Sequence, residues 1–117
     1  MMSGITTVLS FLATVAILVV IHEYGHYLAA RACGVKVLRF SVGFGRPLWL
    51  RRFGRDRTEW SIASVPLGGY VKMLDEREGD VAPQERHRAF NNQTVGKRIA
   101  IVLAGPAANF LLAFVLY

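Results

Sequence analysis

The sequence has no basic residue near either end. None of its fourteen Lys and Arg residues falls within the first 30 or the last 19 positions, so all of them lie between Arg31 and Arg98. Seven of the eight acidic residues share that stretch, which leaves it with a formal charge of +7. Basic loops between apolar arms are typical of membrane proteins, and such loops stay in the cytoplasm. Because topology accounts for the net charge of +6, we expect no nucleic-acid partner.

Cysteine and histidine are also scarce. Cys33 is the single cysteine, which excludes an internal disulfide and agrees with a reducing cytoplasmic face. Three histidines are too few for the membrane di-iron hydroxylases and desaturases. The first residues lack a positively charged region and a small-x-small cleavage site, so we do not expect a cleaved secretory signal.

Two long stretches contain almost no charge. Residues 5–21 have none, and the helical pattern continues to Gly34, since glycine is a typical residue at the end of a helix. Residues 99–117 contain one strongly polar member, Asn109, and Thr94 is a suitable N-cap. We therefore predict two transmembrane helices. Because no polar tail or turn follows the second run, we expect that span to be truncated at Tyr117.

The stretch between the helices predicts β-structure. Residues 36–42 alternate in side-chain character, Gly43-Phe44-Gly45 interrupts the run, and residues 54–57 indicate a hairpin turn. Residues 75–92 are polar and predict a loop with a short surface helix. The expected fold is an α+β membrane protein, in which two transmembrane helices flank a membrane-associated β-meander or hairpin. Its parts are a first helix with the metal motif (1–34), a β segment on the cytoplasmic side (35–74), a polar loop (75–93) and a second helix (94–117).

The first helix contains the pattern H-E-x-x-H at His22, Glu23 and His26. Helical residues four apart lie about 40° apart around the axis and about 6 Å along it, so both imidazoles can bind one zinc ion. The intervening glutamate is then placed to accept a proton from water at the metal. If the span begins near residue 5, His22 lies about 26 Å along a hydrocarbon core of roughly 30 Å. We therefore predict a Zn²⁺ site just inside the cytoplasmic side of the membrane.

Longer segments of the sequence resemble the site-2 protease family of intramembrane zinc metalloproteases, and within it the bacterial branch that cleaves anti-sigma factors. The resemblance extends over the whole chain and includes His22-Glu23-Tyr24-Gly25-His26, Gly43-Phe44-Gly45, Pro66-Leu67-Gly68-Gly69-Tyr70-Val71-Lys72-Met73, Phe90-Asn91-Asn92 and Gly105-Pro106-Ala107-Ala108-Asn109-Phe110.

This resemblance implies a multi-pass protease of the bacterial inner membrane with its central loop in the cytoplasm. The implied substrate is a single-pass membrane protein, an anti-sigma factor of an envelope-stress pathway. The resemblance also implies a strand-rich segment that dips into the bilayer, periplasmic PDZ modules, and a later span whose aspartate is the third zinc ligand. Those later parts are absent from the 117 residues, so we expect this chain alone to be inactive.

Several alternatives stay open from the sequence. Gly43, Phe44 and Gly45 form either a simple turn or part of a strand that contacts substrate. Asn109 either makes a hydrogen bond between helices or faces the active-site cavity and the substrate. His87 is an alternative third ligand. A non-catalytic membrane adaptor and a haem-binding span are the rival functions, but neither needs a glutamate between the two histidines.

Overall fold

Two long apolar helices frame the molecule in this computed structural model, which describes residues 3–117. α1 (Gly4–Ala32) begins at Ser3, whose hydroxyl accepts a hydrogen bond from the Thr6 amide at 3.1 Å. α2 (Val95–Leu116) begins in the same way at Thr94, the predicted N-cap. The helices contain 29 and 22 residues, and both are long and apolar enough to cross a membrane by length and composition.

One sheet lies between the helices in the chain and contains two long strands, β1 (Val37–Phe53) and β2 (Thr58–Met73). The predicted turn at residues 54–57 joins them. Both strands bend near the middle, so residues 47–53 pair with 58–63 and residues 37–42 pair with 69–73, antiparallel in each case. Residues 39–42 also pair with 59–62. There the partner numbers rise together, so these two segments run in the same direction.

The paired segments therefore lie in the order 47–53, 58–63, 37–42 and 69–73. Of the two predicted forms, the hairpin is confirmed, since β1 and β2 pair across the turn at residues 54–57. A simple β-meander is not, because 37–42 does not lie beside 47–53. Gly43 and Gly45 cause the difference. Their φ angles of +94° and +85° turn β1 away from its first segment, a conformation that favours glycine. The outer edges of the sheet are residues 69–73 and 47–53.

Aromatic rings join the sheet to the second half of α1. Tyr27 lies edge-on to Phe40 and Trp60, with ring centroids 6.0 and 5.0 Å away. A small core of fully buried apolar side chains connects the two helices and the start of the sheet: Ala30, Val35, Val37 and Ile101. These contacts fix the height of the sheet along α1, which carries the metal motif.

The polar stretch after β2 contains two short 3-10 helices, Pro83–Arg88 and Phe90–Asn92, where a loop with a short surface helix was predicted. The Arg88 guanidinium donates two hydrogen bonds to the Asp56 carboxylate, each 2.6 Å long. This ion pair ties the stretch to the hairpin turn of the sheet.

Candidate metal centre

The two predicted histidine ligands face each other on α1. The Nε2 atoms of His22 and His26 are 3.1 Å apart, and the ring centroids are 4.7 Å apart. Two nitrogen ligands of one tetrahedral zinc, at bond lengths near 2.0–2.1 Å, lie about 3.3 Å apart. The helical spacing therefore places the two nitrogens at nearly the separation that a shared zinc ion requires.

A glycine of α2 lets both nitrogens approach the backbone of that helix closely. A Cβ atom built on Gly105 would lie 2.8 Å from the His22 Nε2 atom and closer still to the His26 Nε2 atom. Any side chain there would displace the two imidazoles. Gly25 allows the same close approach from α1, because a Cβ on it would lie 2.8 Å from the Ala108 Cβ.

The backbone of α2 orients the ring of His26. Its Nδ1 atom lies 2.7 Å from the Ile101 carbonyl oxygen, which can only accept a hydrogen bond. This contact requires a proton on Nδ1, and in the tautomer with its single proton there, Nε2 keeps the lone pair that can bind a metal. Metal-binding histidines commonly have such a partner on their second nitrogen.

Asn109 lies one helical turn after Gly105 in α2 and contacts His22. Its Nδ2 atom is 3.4 Å from His22 Nδ1, while its buried Oδ1 atom has no hydrogen-bond partner in the described part of the chain. A buried carbonyl without a partner is unfavourable. A 180° turn of a side-chain amide exchanges its oxygen and nitrogen, and hydrogen bonding decides between the two orientations. The unpaired Oδ1 atom disfavours the present one.

Glu23 lies in the wall of a cavity of about 670 Å³ on the side of α1 that carries the motif. His26 lines the same cavity, and so does the outer edge of β2, residues 69–73. Gly69 brings this edge close, because a Cβ on it would lie 3.6 Å from the Glu23 Cγ. Glu23, one imidazole and a sheet edge thus line one open cavity.

The mouth of this cavity is polar. Asp75 and Glu78 line it together with Arg77. Hydrogen bonds from the Arg77 guanidinium hold the pKa of the Asp75 carboxyl below its usual value. The Asp75 carboxylate is therefore ionised at neutral pH and engaged by Arg77.

The structure separates Gly43, Phe44 and Gly45 from the cavity. They form the bend of β1, and none of them belongs to the residues that line the space beside Glu23. They reach it indirectly, since the Phe44 ring packs directly against Gly68, which precedes the edge. The edge itself, residues 69–73, was not among the predicted site residues. The paired glycines at 68 and 69 were the available signal, because glycine in a strand often marks a close backbone approach.

The residues of the motif fit a zinc site that this chain supplies in part. Residues 3–117 contain no group of three or more His, Cys, Asp or Glu side chains placed to hold a metal ion, so His87 does not join His22 and His26. The two matched nitrogens and the carboxylate of Glu23, the residue after His22, nevertheless suit zinc in a catalytic setting.

Comparison with known proteins shows the family of the chain. The family model described as peptidase family M50 matches residues 10–117. Protease RseP of Yersinia pestis is 57% identical over 117 residues, and regulator of sigma-E protease RseP of Escherichia coli is 53% identical over the same length. A Ralstonia nicotianae protein with the provisional name zinc metalloprotease is 57% identical over 119 residues, covering 95% of this chain. The chain spans about a quarter (26%) of the length of these relatives. The chain belongs to peptidase family M50.

Proposed function

We propose that this chain is the part of a membrane-embedded zinc metalloendopeptidase that supplies two zinc ligands and the general base. The two Nε2 atoms, 3.1 Å apart on the helix that also places Glu23 in the wall of the cavity, carry the proposal. A metal-free adaptor would have no use for this arrangement. His22 and His26 are the proposed ligands, and a third comes from a segment outside this chain, as the resemblance to site-2 proteases implies.

A zinc ion held there supplies Lewis-acid activation of water and of the peptide carbonyl. Glu23 accepts the proton of the attacking water and delivers it to the leaving amide nitrogen. Its place next to His22 in sequence and in the wall of the cavity supports this role. Since Glu23 is not a ligand in this scheme, its replacement should spare metal binding.

Asn109 is the proposed positioning residue for His22. If the amide is turned by 180°, its Oδ1 atom takes the place 3.4 Å from His22 Nδ1, where it can accept the Nδ1 proton. That exchange gives the orphaned oxygen a partner and leaves His22 Nε2 free for the metal. The Ile101 carbonyl does the same for His26, so α2 fixes both rings. A contact of Asn109 with substrate is the other role that its position allows.

The substrate is proposed to bind in extended form along residues 69–73. An outer strand leaves alternate N–H and C=O groups unpaired, and these can add an extended peptide to the sheet. The edge lines the same cavity as Glu23 and His26, so a peptide paired there lies next to the base. Gly43, Phe44 and Gly45 shape this edge through the contact of Phe44 with Gly68.

We further propose that both helices cross the bacterial inner membrane, with the basic stretch from Arg31 to Arg98 in the cytoplasm. The length of the helices and the placement of every Lys and Arg support this orientation. The relatives named as regulators of sigma-E suggest that the substrate is a single-pass anti-sigma factor. Arg57→Cys in sealed cells should then resist an impermeant thiol reagent, and ready labelling from outside would contradict the orientation.

The mechanism is tested in the full-length protein with a purified single-span substrate. Glu23→Gln should abolish cleavage and retain zinc, whereas His22→Ala should lose both. Glu78→Gln, a second carboxylate at the same cavity, is the matched control and should leave cleavage within a few fold. Near-normal proteolysis by Glu23→Gln would overturn the mechanism. The 117-residue chain alone should bind zinc weakly and cleave nothing, so tight zinc binding with Glu23-dependent cleavage would show that its ligand set is complete.

A further inference from the structure

The outer edge of the sheet that lies away from the metal centre carries several arginines. Arg51, Arg52, Arg55 and Arg57 are all exposed, and we call these four the arginine collar. Arg52 pairs with Glu59 at 2.7 Å. Within residues 3–117 no ion pair or side-chain hydrogen bond involves the guanidinium groups of the other three. The one carboxylate in this turn, Asp56, is already bound by Arg88. The collar therefore has a net positive charge that the described chain does not neutralise.

Large apolar side chains precede the collar on the same strand. Leu48 is 72% exposed, Trp49 44% and Leu50 37%. Ile62, which pairs with Trp49, is also half exposed. Apart from the exposed Arg46 at the bend itself, this end of the sheet is thus apolar and open, while the hairpin end carries the four arginines of the collar.

The sheet is aligned with α1 so that these two ends lie at different depths. Near the bend, a Cβ on Gly69 would contact Val19 in the middle of α1. At the other end, the Thr58 hydroxyl donates to the Val37 carbonyl at 2.7 Å, and Val37 packs with Ala30 in the last turn of α1. The collar therefore lies at the level of the C-terminal end of α1, and the apolar residues lie closer to its middle.

An aromatic cluster marks the same level. Tyr27 stacks with Tyr24 and meets Trp60, and Trp60 is the strand partner of Arg51. Tyr and Trp concentrate where the hydrocarbon core of a membrane meets its headgroups. The collar and the aromatic cluster together have the composition of a membrane interface.

We propose that the arginine collar binds the headgroups of anionic phospholipids in the leaflet around the C-terminal end of α1, while Leu48, Trp49 and Leu50 enter the acyl chains. The inference rests on the membrane placement proposed above. Guanidinium groups bind phosphate with two parallel hydrogen bonds, and a negative membrane surface attracts clustered arginines. Such binding anchors the sheet edge opposite the one at the cavity, and so holds the whole sheet at a fixed depth beside Glu23.

The two tryptophans of the chain, Trp49 and Trp60, provide the measurement. Trp60→Phe leaves Trp49 as the only reporter, two residues from Arg51. The 117-residue chain with this change is placed in phosphatidylcholine bilayers that contain increasing fractions of brominated phosphatidylglycerol or brominated phosphatidylcholine, which quench nearby indole fluorescence. We expect phosphatidylglycerol to associate with the chain about fivefold more strongly than phosphatidylcholine at low salt. This ratio of the two association constants, the lipid preference, should approach one at about 1 M salt, where charges are screened within about 3 Å.

Matched variants distinguish lipid binding by the arginine collar from attraction by the overall positive charge of the chain. Arg51→Gln with Arg55→Gln should reduce the preference for phosphatidylglycerol to nearly one. Arg77→Gln with Arg86→Gln removes as many exposed arginines from the loop after β2 and should leave it unchanged. Arg51→Lys with Arg55→Lys keeps the charge and should keep most of the preference, with circular dichroism confirming the sheet in every variant.

Equal association of the two lipids with the unchanged collar would overturn the proposal, as would a preference that survives the Arg51 and Arg55 glutamine variant or falls equally in the loop variant. Absence of quenching by either lipid is a different failure. It would show that Trp49 lies outside the bilayer, and it would contradict the membrane placement in the proposed function as well as the collar.

Discussion

The molecule contains two regions that are held together in opposite ways. At the helix crossing, where Gly25 and Gly105 bring α1 against α2, position depends on the absence of single Cβ atoms. In the ion-paired layer, formed by the sheet and the loop after β2, position depends on several ion pairs: Lys36–Glu85, Arg39–Glu59 and Asp56–Arg88. The helix crossing has no room for an added methyl group. A layer held by several ion pairs, in contrast, keeps its fold when one of them is lost. We therefore expect changes at the crossing to remove chemistry and changes in the layer to reduce stability slightly.

The largest effect is expected from Gly105→Ala in the full-length protein. The added methyl group would stand 2.8 Å from the His22 Nε2 atom and closer to that of His26, so it must displace the two imidazoles or separate the helices. Zinc affinity should fall by at least about a hundredfold, since loss of an outer partner alone costs up to that much. Competition with a metal chelator measures the change.

Gly96→Ala is the control for this substitution. Gly96 also lies in α2, but a Cβ there meets no atom within 4 Å, so zinc affinity should stay the same. Unchanged zinc affinity in Gly105→Ala would show that the two histidines do not bind metal in the space between the helices, and the comparison between crossing and layer would lose its basis.

Asn109→Ala should produce the next largest effect. Without its amide, the His22 Nδ1 atom loses the partner that we propose for it, and removal of such a partner weakens metal binding by about 10–100-fold. Asn109→Asp should retain zinc, because a carboxylate oxygen accepts the Nδ1 proton at least as well. If both variants bind zinc as tightly as the unchanged protein and only cleavage falls, Asn109 contacts substrate instead.

The helices, the hairpin turn and the placement of His22 and His26 on one face of α1 could be predicted from the sequence because each depends on local pattern. Thr94 caps α2 and Gly34 follows α1 with φ +81°, as local rules require. The order of the sheet segments could not be predicted from the sequence, since it depends on how far Gly43 and Gly45 turn β1. The edge at residues 69–73 was missed for the same reason. It becomes an edge only when 37–42 pairs with it on one side and the cavity lies on the other.

Proline substitutions in that edge test a segment that joins the two regions. Successive residues of an edge strand direct their N–H groups alternately to the partner strand and outward. Of Tyr70→Pro and Val71→Pro, one should therefore weaken the sheet, while the other keeps the sheet and zinc but reduces cleavage by about tenfold through loss of a donor to substrate. Trp49→Pro and Leu50→Pro are the matched pair of control substitutions in the opposite edge, residues 47–53. If the folded variants of both edges cleave equally well, substrate does not pair with residues 69–73.

The smallest effect is expected in the ion-paired layer, from Asp56→Asn. Arg88 donates two hydrogen bonds to this mostly buried carboxylate, which lowers the Asp56 pKa below its ordinary value of 3.8. A carboxyl group with a lowered pKa in the folded state stabilises the protein above its ordinary pKa, and this contribution disappears as the pH falls through the folded value. The substitution should therefore cost about 1–2 kcal/mol at pH 7 and progressively less as the pH falls below 3.8. Thermal unfolding in detergent, followed by circular dichroism from pH 7 to pH 2, measures the difference between the two proteins.

Zinc affinity at pH 7 should be the same in both, because Asp56 lies at the hairpin end of the sheet, away from the helix crossing. A loss of zinc comparable to that of Gly105→Ala would show that the layer, and not the crossing alone, sets the positions of His22 and His26.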